Sequence, residues 1–452
     1  MTVAPPRPTG ISSAHAPDLD LPARFMALGM AALALVALVF PFALPLLAQG
    51  YAAPHVLAFV HLNTLGVVAA VIMGASYQLV PVVLQTPLAS VALGRVTFWL
   101  HLSGLALFLP GLWFTWTPGV GVGATLLFSG LLLYLGVIAL TIARAPRRDV
   151  VAWHIAISLV GLAGGVALGL LLALNQGAGF LGGLTLRLMA GHATLMLGSW
   201  VAVLLGGVSY RLAGMFTLAE DRLSQPVAWS ELALTALGAW GVALALVLSA
   251  PRPLLLLAGL VLLAGQVLFA GQLAHLYRVR RRRGPDVHIP FALVAGGAGV
   301  ASAALLVYGL AAGMGAGARL WPLVVWLALA GLAETAIQGF FYKIATFLVW
   351  LRRYAPQAGK RRVPKLEELY GQRLARAGWA CWTLGLPLAA AGLLSGSLLL
   401  CRLAGLAAGL GLAAFLVNVA RIAAHWRAPT SVGTQRALRS PGTGAPEKGP
   451  VS

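Results

Sequence analysis

The sequence predicts an all-α polytopic membrane protein with twelve transmembrane helices arranged in three pseudo-threefold sets of four. The first observation is composition: 60% of the 452 residues are hydrophobic and only 9% are charged, against about 25% charged in a typical soluble domain. The second is that apolar runs of 18 or more residues, each long enough to cross a bilayer, recur along nearly the whole chain. The third is a short motif that recurs at equal intervals.

The twelve apolar runs are separated by short polar segments. They cover residues 25–48, 55–84, 93–117, 119–142, 150–174, 187–216, 226–249, 252–277, 289–314, 319–351, 374–395 and 398–424. Residues 23–427 are therefore predicted to form one membrane domain. Residues 1–22 lack the layout of a cleavable signal. Residues 428–452 are rich in Pro, Gly, Ser and Thr, and both ends are predicted to be disordered cytoplasmic segments.

Basic residues are concentrated in one set of loops. Arg144, Arg147 and Arg148 follow the fourth run, residues 280–283 follow the eighth, and residues 352–365 follow the tenth. Because basic loops stay in the cytoplasm, both termini are predicted to be cytoplasmic. Orientation also accounts for the net charge of +20, so the lipid bilayer is the expected partner and nucleic acid is not.

A Gly-x-x-Tyr-polar-aliphatic motif occurs in the second, sixth and tenth runs, as "GASYQL", "GVSYRL" and "GFFYKI". The copies are four runs apart and 133 and 132 residues apart, which predicts an internal threefold repeat. The tyrosine is expected to anchor at the cytoplasmic headgroups, with its basic neighbour extending to water. The glycine is expected to let another helix approach closely. The aligned positions are Gly74, Gly207 and Gly339; Tyr77, Tyr210 and Tyr342; and Gln78, Arg211 and Lys343.

This arrangement resembles the catalytic subunit (subunit I) of the heme–copper oxidases, which has twelve helices in three quasi-equivalent sets. The likeness is carried by "HLNTLGVVAAVIMGASYQLVPVV" from His61, "GHATLMLGSWVAVLLGGVSYRLAGMF" from Gly191, and "GFFYKIATFLVWLRRYAP" from Gly339. These segments are most similar to the divergent branch near the C-type oxidase subunit and the heme–copper proteins of the nitrogen-oxide response. The resemblance implies a multi-pass protein of a prokaryotic plasma membrane.

The resemblance also implies which ligands are present. His61 matches the heme ligand on the second helix of the family, and His192 matches a metal ligand on the sixth. The seventh and tenth runs contain no histidine, so the oxygen-reducing centre cannot be assembled and copper is not expected. We therefore do not predict an active terminal oxidase. The resemblance implies heme binding with a role in electron transfer or the nitrogen-oxide response, and a redox partner. The alternative is a cofactor-free transporter or membrane scaffold.

His61 and His192 are the candidate heme or metal ligands, because neutral imidazole binds heme iron and copper. Each histidine begins a helix that runs from the outside to the inside of the membrane. His61 lies about 24 Å before Tyr77 and His192 lies about 27 Å before Tyr210 along the helix, so both are expected at the same depth. The two-residue difference in register rotates one side chain by about 200° relative to the other. Symmetry therefore does not predict that both face one centre, although a π-bulge would absorb part of the rotation. Each histidine could instead hydrogen-bond a neighbouring helix.

Other ionisable residues within the apolar runs are secondary candidates. His101 and His154 are expected toward the cytoplasmic side, where they are candidates to pair with each other. Glu334 is a proton-relay candidate, although a hydrogen bond to another helix also explains its position. Glu231 and the remaining internal histidines, His55, His275, His288 and His425, are expected at the membrane interface.

Overall fold

The computed structural model describes residues 17–282, 286–360 and 362–427. Within these ranges twelve helices are long and apolar enough to cross a membrane, as predicted. They are α1 (Asp20–Ala48), α2 (Pro54–Val83), α3 (Val91–Trp113), α4 (Thr117–Ala143), α5 (Val150–Ala178), α6 (Gly182–Thr217), α7 (Gln225–Val247), α8 (Arg252–Arg278), α9 (His288–Ala311), α10 (Leu320–Arg353), α11 (Gln372–Ser395) and α12 (Leu398–Trp426).

The ends of the chain were predicted to be disordered. The first helix begins at Asp20, three residues before the predicted start of the membrane domain. Residues 1–16 and 428–452 lie outside the described residues, so the prediction for the two ends is untested. The side of the bundle that carries the loops after α4, α8 and α10 is called the arginine-rich side below.

Helices α2, α6 and α10 form the centre of the bundle. Between 56% and 72% of their most apolar window is buried, whereas the other nine helices reach at most 50%. Helices α3 and α4, α7 and α8, and α11 and α12 pack as neighbouring pairs around them. The outer helices also meet at α12 with α1, α4 with α5, and α8 with α9. The three-set grouping of these contacts stays a prediction.

Each central helix changes its hydrogen-bond pattern in one place. An eight-residue π-helical segment covers Leu62–Ala69 in α2, Leu195–Ala202 in α6 and Leu327–Glu334 in α10. In all three helices the segment ends eight residues before the tyrosine of the motif. Such segments are rare and concentrate at functional sites. The motif therefore recurs together with a backbone feature of the same length and position.

The three motif tyrosines are buried, at most 2% exposed, so the predicted position at the lipid headgroups is wrong. Each tyrosine ring packs against two other rings. One belongs to the first helix of the predicted set of four helices, and the other belongs to the last helix of that set. Tyr77 contacts Phe25 and Tyr134, Tyr210 contacts His154 and Phe269, and Tyr342 contacts Phe291 and Phe415. The tyrosine rings therefore hold outer helices to the central ones. The sequence did not indicate this contact, because the residues around each tyrosine are apolar.

The motif glycines do permit close helix contact. A Cβ added at Gly207 would lie 2.5 Å from Cβ of His154 on α5, and one at Gly339 would lie 2.6 Å from Cβ of Phe291 on α9. A Cβ at Gly74 would lie 3.0 Å from Cβ of Phe25 on α1. In each case the neighbour belongs to the helix that also packs against the tyrosine.

The polar residues that follow the motif tyrosines lie in different environments. Arg211 is partly exposed and lies 3.9 Å from Glu220, in keeping with a side chain that extends toward water. Lys343 is buried and forms an ion pair with Asp286, so the expectation that it extends to water is wrong. Asp286 precedes α9, and its carboxylate supplies the charge that lets the lysine stay inside.

Candidate functional site

His61 on α2 and His192 on α6 face each other. The centroids of their imidazole rings are 6.4 Å apart, and the ring planes are 20° from parallel. An imidazole nitrogen binds a metal at about 2 Å, and the ring centroid lies about 1 Å behind that nitrogen. Two rings that share one metal therefore have centroids about 6 Å apart, which is the separation found.

Both imidazoles are fixed in the same tautomer. Nδ1 of His61 lies 2.7 Å from the carbonyl oxygen of Leu57, and Nδ1 of His192 lies 2.7 Å from that of Gly165 on α5. A carbonyl oxygen only accepts, so each Nδ1 donates and the neutral ring keeps its lone pair on Nε2. Metal-binding histidines are held by this kind of bond. Both Nε2 atoms are therefore prepared to accept a ligand.

The two rings line one cavity of about 610 Å³. Ligand pockets commonly have volumes between about 300 and 1,000 Å³ and mostly apolar walls. Near the histidines the wall is formed by residues from α3 to α6. They include Phe108, Leu127, Leu131, Val166, Leu170, Met196 and Leu197. On the side opposite the arginine-rich loops the cavity reaches Tyr51, Ala316 and exposed Arg187.

Small and aromatic neighbours position the two rings. A Cβ added at Gly169 on α5 would lie 2.8 Å from Cε1 of His192, so only glycine leaves room for that ring. The ring of Phe108 on α3 meets the ring of His61 edge-on, with centroids 5.2 Å apart. The site is thus built from four helices that are distant in sequence.

The structure also answers the question of direction. His61 and His192 occupy non-equivalent register positions on α2 and α6, and their rings nevertheless lie 6.4 Å apart. The π-helical segments do not cancel the register difference, because α2 and α6 carry them at the same distance from their tyrosines.

His101 and His154 do not pair with each other. Nε2 of His101 lies 3.0 Å from the carbonyl oxygen of Leu65. Nε2 of His154 lies 2.8 Å from Oε2 of Glu231, and both side chains are fully buried. The expectation that Glu231 lies at the membrane interface is therefore wrong, because its carboxylate is buried in contact with His154 on α5.

Two further expectations are also wrong, each for its own reason. His288 is buried rather than interfacial, with Nδ1 2.7 Å from Oδ1 of Asp286. Glu334 is 2% exposed, but neither of its oxygens has a hydrogen-bond partner among the described residues. The predicted hydrogen bond from Glu334 to another helix is therefore absent there, and its proton-relay role stays a prediction. His55 and His275 are exposed, as expected.

No protein-family model matches the chain, and a search of curated proteins finds no similar protein. The site must therefore be interpreted from its own chemistry. In the part of the chain that the structure describes, no three His, Cys, Asp or Glu residues cluster as metal ligands. A bare zinc or copper ion requires three or four protein ligands. A heme supplies four nitrogens itself and needs only axial ligands, so two opposed imidazoles in an apolar cavity fit a heme better.

Proposed function

We propose that this protein is an integral membrane heme protein with a fold like that of heme–copper oxidase subunit I. His61 and His192 would hold the heme iron, and the protein would act in electron transfer or in the response to nitrogen oxides. The proposed location is the plasma membrane of a prokaryote, with both termini in the cytoplasm. It does not reduce oxygen, because the histidines of a copper centre are missing from the sequence.

One observation carries the proposal: two imidazoles on different helices oppose each other at 6.4 Å, each with Nδ1 bonded to a carbonyl oxygen. A hydrogen-bonding histidine pair would be expected to use Nε2 as well. Among the described residues, no hydrogen bond is found to Nε2 of either ring, and both rings line the cavity, so both nitrogens are available to a ligand there.

Different residues have different roles in this site. The carbonyls of Leu57 and Gly165 hold the two tautomers, and Gly169 leaves room for the ring of His192. The mostly apolar wall favours a large apolar ligand. A bound heme would supply a one-electron iron couple. If both imidazoles held the iron, no position would be left for a gas, so the chemistry that the group would supply here is electron transfer.

The test is the absorption spectrum of protein purified from heme-sufficient cells. We expect a Soret band that shifts on dithionite reduction and is lost in His61→Ala and in His192→Ala. His55→Ala is the matched control, because His55 lies on the same helix as His61 but is exposed. A colourless wild-type preparation, or an unchanged spectrum in both ligand variants, would overturn the proposal.

A cofactor-free transporter is the second candidate, favoured by the presence of exposed Arg187 among the residues that line the cavity. In that case the cavity is a substrate site and Arg187 attracts an anionic substrate. The same purification decides between the two, because a transporter is colourless. Its His61→Ala variant would also keep transport activity in proteoliposomes unless the substrate binds the histidines.

A further inference from the structure

The cavity that the two histidines line extends to a second face of α6. Arg187 and His192 both line it, and they are five residues apart in a regular α-helical stretch, so their side chains leave α6 about 140° apart. Ala190 and Thr194 follow Arg187 by three and seven residues and line the cavity on the same face as Arg187. The cavity therefore has a second part, which lies on the far side of α6 from the histidine rings.

This second part of the cavity lies within a ring of five helices. Its wall includes Arg187 on α6, Leu246 on α7, Leu255 on α8, Leu310 on α9 and Trp321 on α10. Each of the helices α6 to α10 contacts the next one in order, and α10 contacts α6, which closes the ring. A ligand therefore reaches the second part from an end of the bundle rather than from the lipid between two helices.

The second part is about as long as one acyl chain. On α8 its lining extends from Leu255 to Gln266, and on α9 it extends from Leu310 to Gly299. Both stretches span about 16 Å at a rise of 1.5 Å per residue. The hydrocarbon core of a bilayer is about 30 Å thick and contains two opposed layers of chains, so one chain covers about 15 Å.

The polar groups along this wall are bonded to the backbone. The hydroxyl of Ser302 donates to the carbonyl oxygen of Val324 at 2.8 Å, and the indole nitrogen of Trp321 donates to that of Gly315 at 2.8 Å. The hydroxyl of Thr194 donates to a carbonyl oxygen one turn earlier in α6. Most other residues of the wall are leucine, valine or alanine. The wall therefore suits an apolar chain.

One charged side chain, that of Arg187, lines the cavity, and it is exposed. Among the described residues it forms no hydrogen bond and no ion pair. No aspartate or glutamate occurs in the loops on this side of the bundle, which are residues 49–53, 114–116, 179–181, 248–251, 312–319 and 396–397. These loops therefore supply no carboxylate to Arg187, whose guanidinium is suited to bind one from a ligand.

We propose that the second part of the cavity binds a long-chain fatty acid, with the carboxylate at Arg187 and the chain inside the ring of α6 to α10. The length of the wall matches one acyl chain, and the single guanidinium matches one carboxylate. The closed ring leaves no place for the second chain of a phospholipid. The inference goes beyond the proposed function, because this site uses neither His61 nor His192.

The experiment is the binding of radiolabelled palmitic acid to the purified protein in detergent. Hexadecanol, which has the same chain without the carboxylate, is the comparison ligand. We expect the wild type to bind palmitic acid at one site. Arg187→Gln should lower the affinity for palmitic acid about tenfold or more, because a charge-assisted hydrogen bond is lost, and should leave the affinity for hexadecanol unchanged.

Arg252→Gln is the matched control for the charge. Arg252 lies on the same side of the bundle, but its guanidinium donates to the carbonyl oxygens of Leu310 and Ala311 and is not part of the cavity wall. This variant should therefore bind both ligands like the wild type.

A second pair of variants tests the position of the chain. Leu306→Trp fills the second part from α9 and should abolish the binding of both ligands. Leu293→Trp places the same side chain at an exposed position of the same helix and should change neither affinity.

Absence of palmitic acid binding in the wild type would overturn the inference. Equal affinity of the wild type and Arg187→Gln for palmitic acid would also overturn it, as would unchanged binding in Leu306→Trp. Phosphatidylglycerol, which has two chains, should not compete, and competition as strong as that of palmitic acid would contradict a site for one chain. The assay does not detect heme, so a colourless preparation would overturn the proposed function alone.

Discussion

The ammonium group of Lys343, in the last third of α10, forms an ion pair with the carboxylate of Asp286, just before α9. Both side chains are at most 7% exposed, and the other carboxylate oxygen faces Nδ1 of His288 at 2.7 Å. The ammonium group also lies 5.6 Å from the ring centroid of Phe216 on α6. This pair fixes the loop that enters α9 against two central helices.

Loss of the lysine should be far more damaging than loss of an exposed partner. Lys343→Ala leaves Asp286 buried without its charge partner, and we expect a loss of stability of about 3–5 kcal/mol. Arg24→Ala removes the exposed pair between Arg24 and Asp20, and should cost at most about 1 kcal/mol. Unfolding in detergent measures both variants. Equal losses of stability in the two variants would show that the buried pair of Lys343 and Asp286 contributes no more than an exposed pair.

Stability should fall in acid through Asp286. Burial by itself would raise the pKa of Asp286, but the hydrogen bond and charge of His288 and the charge of Lys343 together lower it from 3.8 to about 2. The stabilisation is therefore complete above pH 3.8 and is lost as the pH falls toward 2. Asp286→Asn should lack this component. An identical difference in stability between the two proteins at pH 5 and pH 2 would contradict the prediction.

Gly169 should be essential for the position of His192. A β-carbon there would lie 2.8 Å from Cε1 of the imidazole, so Gly169→Val must displace the ring. We expect a loss of heme content with a stability cost of about 1–3 kcal/mol. Gly136→Ala on α4 is the control, since nothing lies within 4 Å of its added Cβ. The ratio of heme to protein in the purified variants is the measurement, and full heme occupancy in Gly169→Val would refute the assignment.

The motif glycine of α6 should tolerate no side chain. Gly207→Ala places a Cβ 2.5 Å from Cβ of His154, which should separate α5 from α6 at a cost of about 1–3 kcal/mol. Gly271→Ala on α8 meets nothing within 4 Å and should be close to neutral. Thermal unfolding in detergent compares the two. If both substitutions were neutral, the close approach of these helices would not be required.

The membrane spans were readable from the sequence because length and apolarity are properties of a continuous segment. Interactions between segments were not. Glu231 and His154 are 77 residues apart, and Asp286 and Lys343 belong to different helices, so no local pattern indicates that they pair. The motif identified the central helices, but it could not show whether its tyrosines face lipid or protein, since both environments suit an amphipathic ring.

The candidate site was only half foreseen. His61 and His192 stood out because ionisable residues are rare in apolar segments, and depth along the helices suggested that they could meet. Gly169 carried no such signal, since small residues are common packing residues in membrane helices. Its role depends on which helices become neighbours, and that follows from packing over the whole bundle.

The π-helical segments give the central helices a way to change during evolution. A helix wound with hydrogen bonds five residues apart can lose one residue and return to the ordinary pattern without breaking the chain. A deletion within Leu62–Ala69 would leave Tyr77 and its neighbours in place. Everything before the deletion, His61 included, would turn by much less than the 100° that a deletion from an α-helix causes, because the wider turns already accommodate the extra residue. Single-residue deletions in these three segments can therefore leave the side chains that line the cavity close to their present directions while the arginine-rich ends stay assembled.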